Sequence, residues 1–278
     1  IIRHTIRAYP TKDQEQFLRQ DIGNQRFVWN KILAESKTRY EQEQKFIFYN
    51  EASKMLPILK QEHEFLKLGG SACLQQTLRD LDQAQSRAIK DVKSGRRHFG
   101  FPKFKRKSSG GSVRYPQHCS LEENQLKVPK LGLLKVKNHL NITNFNSITI
   151  LLKPSGQWYV SFIVETPDVP KVNIQSVVGV DLNSRYLAVL STGEVIENPK
   201  YLKKKEQRLK KYQRIMSRKA SGSKNRNKSR IKVARQHQHV ANCRKDFMHK
   251  VTTDIARNHD LICIEDLNVR AMQQWNGR

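Results

Sequence analysis

The chain has 278 residues, of which 37% are hydrophobic, and a formal net charge of +27. This length supports one large domain or two to three small ones, each with its own core. A disordered basic tail is excluded by 11 Phe, 8 Tyr and 3 Trp. We expect neither a membrane span nor a signal peptide, since no apolar run approaches the ~18 residues of a span.

The four cysteines are far apart and form no C-x-x-C pair, so neither a zinc site nor a disulfide framework follows from their spacing. We expect reduced thiols in a cytoplasmic protein.

Most of the positive charge lies in two segments. Residues 200–250 contain 19 Lys or Arg against two acids, and residues 87–114 contain ten against one. A solvated basic face is the alternative interpretation, but like charges at this density repel and need a partner. Concentrated charge of this kind indicates a protein that binds a polyanion.

The first half of the chain predicts a sheet with a helical insertion. Residues 1–9 alternate apolar and polar like a strand, and residues 113–165 contain further strands with a hairpin turn at "KPSGQ". Between them, apolar residues recur at helical spacing in three segments, residues 12–45, 50–60 and 71–94. We expect a small antiparallel β-barrel that the first strand joins, with residues 11–112 inserted.

A loop at residues 99–112, "FGFPKFKRKSSGGS", interleaves aromatic and basic residues. Rings can stack on bases while cations meet phosphates, so this pattern suits nucleic acid. Alternatively, the phenylalanines (Phe99, Phe101 and Phe104) anchor the loop to a core. In either case the basic residues are candidates for phosphate contact.

The second half predicts strands around two basic helices. Residues 166–173 are typical of a linker, and residues 177–197 predict two or three strands. Helices are expected at residues 200–220 and 228–258, and another strand at residues 261–265.

Asp181 and Glu265 each lie near the carboxyl end of a short apolar strand. We expect both strands to be buried, where an unpaired acid is costly. Two such acids on adjacent strands could share divalent cations, and oxygen ligands suit Mg²⁺ or Mn²⁺. The element order matches the RNase H-like fold of RuvC-type nucleases, whose first and fourth strands are neighbours. Asp181 and Glu265 are therefore the candidate catalytic and metal-binding residues.

Each of these acids also has a purely structural interpretation. Asp181 could cap a turn or pair with Arg185, and Glu265 could pair with one of the many lysines. Asp266 could replace Glu265, although strand alternation puts it on the opposite face. His237 and His239 are spaced i, i+2, which does not share a helix face, so we expect them to be surface residues that contact phosphate.

Long stretches of the chain resemble the TnpB (OrfB) family of insertion-sequence proteins, relatives of type V CRISPR effectors. The stretches are "NQRFVWNKIL", "LQQTLRDLDQAQ" with "GFPKFKRKS", "LKVPKLGLLKVK", "GVDLNSRYLAVLSTGE" and "ICIEDLNVRAM". The last two are similar to the family's first and second RuvC motifs.

The resemblance implies an RNA-guided, Mg²⁺-dependent DNA endonuclease. A guide RNA from the transposon end would pair with target DNA, and the protein would read a short adjacent motif in the duplex. Asp181 and Glu265 match the family's first two catalytic acids. The positions that match motif-reading residues are Tyr49, Ser71, Gln75 and His118. The basic residues expected to hold guide RNA and heteroduplex are Lys103, Lys105, Arg106, Lys107, Lys203, Lys204, Lys210, Lys211, Arg218 and Arg230.

The resemblance also implies a multidomain α+β fold. We expect a wedge-type β-barrel (residues 1–10 and 113–172), an inserted helical recognition domain (residues 11–112) and a partial RNase H-like RuvC domain (residues 173–278).

One departure from the family concerns the end of the chain. The family continues to a zinc ribbon with two C-x-x-C pairs and a third catalytic Asp, and this sequence contains neither. Either a further segment follows, or the chain is a truncated form that binds DNA under RNA guidance without cutting it. Retention of both Asp181 and Glu265 favours the first. A transposase that acts without RNA is a third interpretation.

Overall fold

The structure, a computed structural model, describes residues 2–95, 100–107, 110–165, 173–182 and 186–267. It contains two compact units, residues 1–167 and 168–278. Among the described residues, no helix is both long and apolar enough to cross a membrane. The expected linker at residues 166–173 lies outside the described residues, apart from its last position.

The first unit contains a seven-stranded antiparallel sheet in the order β2-β6-β7-β1-β5-β4-β3. Its strands are β1 (Ile2–Tyr9), β2 (Gly111–Tyr115), β3 (Ser120–Glu122), β4 (Gln125–Val128), β5 (Gly132–Val136), β6 (Ser147–Leu152) and β7 (Trp158–Val164). As predicted, β1 joins this sheet, pairing with both β7 and β5. The predicted hairpin turn is also present, since Lys153 N donates to Gln157 O at 2.8 Å.

The expected closed barrel is wrong, although the sheet curls strongly. Only residues 116–119 connect β2 to β3, which lie at opposite edges of the sheet. Seven strands laid flat would separate those edges by about 29 Å, whereas this connection spans at most about 18 Å. No pairing joins β2 to β3 within the described ranges. β3 has only three residues, and Pro116 has no backbone N–H to donate. The two edge strands could therefore form few of the backbone hydrogen bonds that would close the sheet.

Between β1 and β2, the described residues form the helices α1 (Lys12–Glu43), α2 (Tyr49–Glu62) and α3 (Ser71–Lys93), and a 3-10 turn at Glu64–Lys67. A capping box starts α1, in which Thr11 Oγ1 accepts from Gln14 N and Gln14 Oε1 accepts from Thr11 N. The three helices enclose their own apolar core, which includes Val28, Ile32, Leu74 and Leu78. Leu18 and Ile22 of α1 pack instead into the core of the sheet.

The second unit combines a four-stranded sheet with two long helices. Its strands are β8 (Val177–Leu182), β9 (Ala188–Leu190), β10 (Val195–Ile196) and β11 (Leu261–Ile264), in the order β10-β9-β8-β11. Its helices are α4 (Tyr201–Ser217) and α5 (Lys224–Asn258), which pack on each other. One face of the sheet is buried: Val178, Val180, Ala188 and Leu190 form a core with Ile255 of α5.

The expectation that both acid-bearing strands are buried is wrong in part. Only alternate residues of β8 are buried, because α5 covers one face of the sheet. All four residues of β11 are exposed, and the side chain of Ile264 is 69% exposed. β11 is exposed because it lies at the edge of the sheet. Its apolar sequence does not specify which elements cover it.

Candidate functional site

The strand register places Asp181 and Glu265 side by side. β8 and β11 run parallel, and their last recorded pair is Val180 with Ile264. Asp181 and Glu265 each follow this pair by one residue, so they occupy neighbouring positions on the two strands. Neighbouring strands lie about 4.8 Å apart, and both acids project from the same face because both stand four residues after the paired Val177 and Leu261.

A polar network at the opposite end of these strands fixes that register. Asp260 Oδ2 accepts hydrogen bonds from Gln175 N and Ser176 N, both at 3.0 Å. Ser176 O accepts in turn from the backbone N–H groups of Asp260 and Leu261. The two backbone donors hold the pKa of the Asp260 carboxyl below its usual range. A slip of one residue would break this network and turn the two acids to opposite faces.

Both acids border a shallow depression of about 520 Å³ on the sheet face opposite α5. Gly179, Ser191 and Cys263 also line it, and Ser191 Oγ accepts from Gly179 N at 3.0 Å. Asp181 and Glu265 are exposed, so the charge expected in a buried strand instead faces solvent. Two adjacent carboxylates repel each other, and a shared cation removes that repulsion.

This donor set fits Mg²⁺ or Mn²⁺. Mg²⁺ is ordinarily held by one or two carboxylates together with water and substrate phosphate. An open pair of carboxylates can supply the protein ligands of such a site. Asp266 is also exposed, one residue further along the chain. The described residues contain no group of three or more His, Cys, Asp or Glu that could hold a metal ion, so they offer no zinc centre of the kind that the resemblance implies.

The predicted alternatives for these acids have different outcomes. Arg185, the proposed partner of Asp181, lies outside the described residues. His237 and His239 are exposed on α5, as expected for surface residues. His239 instead approaches Cys243 one turn later, with Nε2 3.8 Å from Sγ.

In the first unit, the basic loop lies against α1 and forms a groove, which we call the α1 groove. Arg26 and Lys37 of α1 form one wall, and residues 101–106 and 110–112 complete a cavity of about 690 Å³. A second cavity of about 570 Å³ continues from it past Arg26 and Gly110 to Lys107. The loop is held by reciprocal bonds, since Lys105 N donates to Asn30 Oδ1 and Asn30 Nδ2 donates to Lys105 O.

The four predicted loop cations surround this groove. Lys103, Lys105 and Arg106 line the larger cavity, and Lys107 lines the continuation. Lys105 is exposed as a residue, but its Nζ lies 3.8 Å from the centroid of the Trp29 ring. Loss of water around this ammonium lowers the pKa of Lys105. Burial likewise lowers the pKa of Arg26, so the groove holds cations that are partly stripped of water.

The two interpretations of the loop aromatics, core anchor and exposed ring, apply to different residues. Phe101 anchors the loop, because it packs against the helical core and lies 5.5 Å from the ring of Tyr40. Phe104 is 45% exposed, with Lys37 Nζ 4.7 Å from its ring centroid. Phe99 lies outside the described residues. Phe104 is thus the aromatic side chain that the groove presents.

The remaining predicted cations lie in the second unit. Lys203 and Lys210 are seven residues apart on α4, and so are Lys204 and Lys211, which places each pair on one face two turns apart. All four are exposed, and Lys210 pairs with Glu206 at 2.7 Å. Arg218 follows α4 directly, and Arg230 is half-buried on α5.

Two of the four predicted motif-reading residues, Ser71 and Gln75, lie on α3, and a third, Tyr49, is the first residue of α2. Ser71 and Gln75 are exposed one turn apart, and Ser71 Oγ accepts from Lys60 Nζ at 2.8 Å. Another turn along, the Arg79 guanidinium lies 5.0 Å from the ring centroid of Tyr49. His118 is exposed on the β2–β3 connection in a left-handed conformation (φ 62°).

Several residues of these sites had no marker in the sequence. Arg26 and Lys37 look like ordinary surface charges of α1, and only the packing of the loop makes them groove residues. Asp260 had a weak marker, an acid directly before a strand, but its bonds to Gln175 and Ser176 depend on tertiary structure.

Comparisons with known proteins agree with the sequence resemblance. A family model described as "Probable transposase" (OrfB of the IS605 type) matches residues 161–276. A second, described as "Helix-turn-helix domain", matches residues 1–45, where the structure has β1 followed by the continuous helix α1.

Two relatives are similar along almost the whole chain. "Putative RNA-guided DNA endonuclease InsQ" of Escherichia coli K12 is 34% identical over 95% of this chain and 66% of its own length. "Putative RNA-guided DNA endonuclease" of Streptomyces pristinaespiralis is 35% identical over 98% of this chain and 68% of its own length. The chain spans about two thirds of the length of these relatives. It belongs to the TnpB (OrfB) family.

The fold is also similar to a solved structure. A chain of the cryo-EM structure titled "Cas12f1-sgRNA-target DNA complex" superposes with a TM-score of 0.51 over 92% of this chain and 66% of that one. The sequences are 11% identical, so this likeness concerns the fold alone.

Proposed function

We propose that the protein is an RNA-guided DNA endonuclease whose metal-dependent centre contains Asp181 and Glu265. The observation that carries the proposal is the parallel register of β8 and β11, which brings the two acids together. The names of the two relatives support the same activity.

At this centre the two carboxylates would hold Mg²⁺ or Mn²⁺. When bound, such an ion lowers the pKa of water and offsets the charge that develops on a phosphodiester. Asp181 and Glu265 fix the ion's place through two strands whose register Asp260 secures. Gly179 has no side chain on this face, which leaves the depression open to a phosphate backbone. Exposure of both acids suits a substrate as large as a nucleic acid.

The two cationic surfaces would hold the guide RNA and its heteroduplex with target DNA. The α1 groove offers Arg26, Lys37 and the loop cations, and α4 offers its paired lysines. Such contacts read backbone rather than sequence, since guide pairing supplies sequence specificity. Tyr49, Ser71, Gln75 and His118 are proposed to read the short motif next to the target.

A second candidate is RNA-guided DNA binding without cleavage. It is favoured by the acid count, because the described residues place only two carboxylates at the depression. The two candidates share the guide RNA and differ only in chemistry.

Sequencing the RNA bound to the protein purified from its host tests both candidates together. We expect one discrete RNA that extends beyond the transposon end into flanking sequence. Recovery of no discrete RNA would overturn both and leave a transposase that acts without RNA. Cleavage of a matching target then separates the first candidate from the second.

A further inference from the structure

The open face of the four-stranded sheet has a notch where Gly179 stands between two side chains. Val178 and Val180 point into the core, so Gly179 lies on the opposite face. On one side Ser191 N donates to Gly179 O at 2.8 Å, and on the other Gly179 pairs with Cys263 of β11. Strands lie about 4.8 Å apart, so roughly 9.6 Å separates the two flanking Cα atoms. We call this row the Gly179 notch.

The missing side chain of Gly179 forms the floor of the notch. A Cβ added here would lie 3.5 Å from Ser191 Cβ and 3.8 Å from Ser191 Oγ, which is ordinary van der Waals contact. Gly179 also lies within β8 and has no left-handed φ, so its conformation suits any residue. Neither packing nor backbone geometry requires a glycine, and a glycine in a strand often marks a place where a ligand approaches the backbone.

Ser191 provides a hydrogen-bond donor to the notch. Its Oγ accepts from Gly179 N at 3.0 Å, which fixes the oxygen beside the floor. Its own O–H has no acceptor within the described part of the chain, and Ser191 is exposed at the edge of the depression. The hydroxyl hydrogen can therefore be donated to a group that enters the notch.

The notch lies one row away from the two acids. Asp181 and Glu265 follow Gly179 and Cys263 by two residues, which is about 6.8 Å along the strands. A hydroxyl reaches an acceptor oxygen at about 2.5–3.0 Å, so a group bound between the carboxylates is beyond the reach of Ser191. Consecutive phosphates of an extended strand have a spacing comparable to that of the two rows. The notch is thus placed for a second phosphate.

We propose that the Gly179 notch holds the phosphate next to the one that the nuclease centre cuts. Ser191 Oγ would donate to an oxygen of this phosphate. The bare backbone of Gly179 would let the sugar–phosphate chain approach the sheet, and Cys263 would form the far wall. The notch rests on the proposed function, because it adds a contact for the substrate strand at the same centre.

Single-turnover guided cleavage by the complete protein with its RNA tests the hydroxyl. Ser191→Ala should cut about tenfold more slowly, since a hydrogen bond to a charged phosphate is lost. Ser191→Thr keeps the hydroxyl and should stay within about threefold of wild type. Thr192→Ala, which removes a hydroxyl at the next exposed position, is the matched control and should cut like wild type. All three variants should bind Mn²⁺ like wild type, because none removes a carboxylate.

Gly179→Ala separates the notch from the stability of the fold. Alanine is more favourable than glycine within a strand, so the variant should unfold at the same temperature as wild type or higher. The added methyl group occupies the notch, so cleavage should nevertheless fall about tenfold or more. A stable variant that cuts at the wild-type rate would refute a phosphate in the notch.

A methylphosphonate in the target strand removes the charge of one chosen phosphate. At one of the two phosphates that flank the cut, it should slow wild type and leave Ser191→Ala no slower than it already is. Equal slowing of both proteins at both positions would show that Ser191 contacts neither phosphate.

Disulfide exchange gives a readout that does not depend on cleavage. With Ca²⁺ in place of Mg²⁺, a target strand whose flanking phosphate carries a tethered mixed disulfide should exchange with the exposed Cys263 thiol and release the small thiol of the probe. Cys263→Ser should prevent this attachment, and attachment at other cysteines alone would overturn the notch. If Asp181→Asn abolishes guided cleavage while these results fail, the notch alone is wrong and the proposed function stands.

Discussion

Asp181 and Glu265 stand next to each other on two parallel strands, one position beyond the pair Val180–Ile264. Their carboxylates come from distant parts of the chain and project from one open face of the sheet. Two neighbouring negative charges repel each other, and a divalent cation bound by both carboxylates would remove that repulsion. The predictions below test this pair, the elements that hold it and the surfaces proposed for nucleic acid.

Removal of either charge should weaken metal binding. Asp181→Asn and Glu265→Gln keep the size of each side chain and remove one carboxylate ligand, so Mn²⁺ affinity should fall about tenfold or more. Titration of Mn²⁺ followed by electron paramagnetic resonance measures this. Glu194→Gln, at an exposed position in the same unit, is the control and should bind Mn²⁺ like wild type. Equal affinity in all four proteins would refute the metal site.

Asp260 should control the order of β11. In Asp260→Ala, the N–H groups of Gln175 and Ser176 lose their shared acceptor, so amide hydrogen exchange across Leu261–Ile264 should speed up. Asp254→Ala, on the exposed side of α5, should leave that exchange unchanged. Slow exchange in the Asp260 variant would show that the strand register does not need the network.

The same residue gives a pH dependence with a definite sign. The folded-state pKa of Asp260 is lowered, so its contribution to stability is present above the ordinary Asp pKa and disappears as pH falls through the folded value. The protection factors of the β11 amides in wild type, which correct for the slower intrinsic exchange at low pH, should therefore fall below about pH 4. The Ala variant should lack that acid-dependent step.

The α1 groove should account for part of the salt dependence of nucleic-acid binding. Arg26→Gln and Lys37→Gln each remove a groove cation, so the slope of log affinity against log salt should fall by about 0.7–0.9 for each phosphate that is no longer neutralised. Lys54→Gln, exposed on α2 and outside the groove, is the control. Binding isotherms across a salt series measure the slopes. An unchanged slope in both groove variants would remove the groove from the interface.

Asp21 should make stability fall as pH rises. It is 1% exposed, and burial raises the pKa of its carboxyl, against the opposing hydrogen bond from the Tyr115 hydroxyl at 3.0 Å. Between the ordinary and the raised pKa, the folded chain binds more protons than the unfolded chain, so stability decreases with pH. Each unit of difference is worth about 1.4 kcal/mol.

Asp21→Asn keeps an acceptor for Tyr115 and should remove this pH dependence, which makes the variant more stable than wild type at neutral pH. Thermal unfolding across a pH series checks the slope. Glu41→Gln, at an exposed position on α1, is its control and should follow the wild-type slope. A variant that unfolds at lower temperature than wild type at neutral pH would contradict this interpretation of Asp21.

Local patterns were enough to predict the elements of both units. Helical spacing located α1 and α3 to within a few residues, since apolar stripes such as Leu74, Leu78 and Leu81 depend on local periodicity alone. The alternation in residues 1–9 and the turn at "KPSGQ" likewise predicted β1 and the β6–β7 hairpin. The proximity of Asp181 and Glu265 to each other was predicted by assigning both acids to adjacent strands.

Several features that depend on distant neighbours were not predicted. An apolar strand such as β11 is typical of a buried position, yet Ile264 is exposed because β11 forms an edge of its sheet. Closure of the larger sheet depends on pairing between β2 and β3, which no local pattern encodes. Phe101 and Phe104 have similar contexts in the sequence, and only the packing of the loop on α1 separates an anchor from an exposed ring.

Guided cleavage by wild type and Asp181→Asn, measured in one reaction together with target binding, tests the central claim most directly. The protein would be expressed from its complete reading frame, with its RNA, and supplied with a matching DNA target and Mg²⁺. We predict that wild type cuts the target, and that Asp181→Asn binds it with unchanged affinity and leaves it intact. Cleavage by Asp181→Asn at the wild-type rate would contradict the assignment of Asp181 and Glu265 as the nuclease centre.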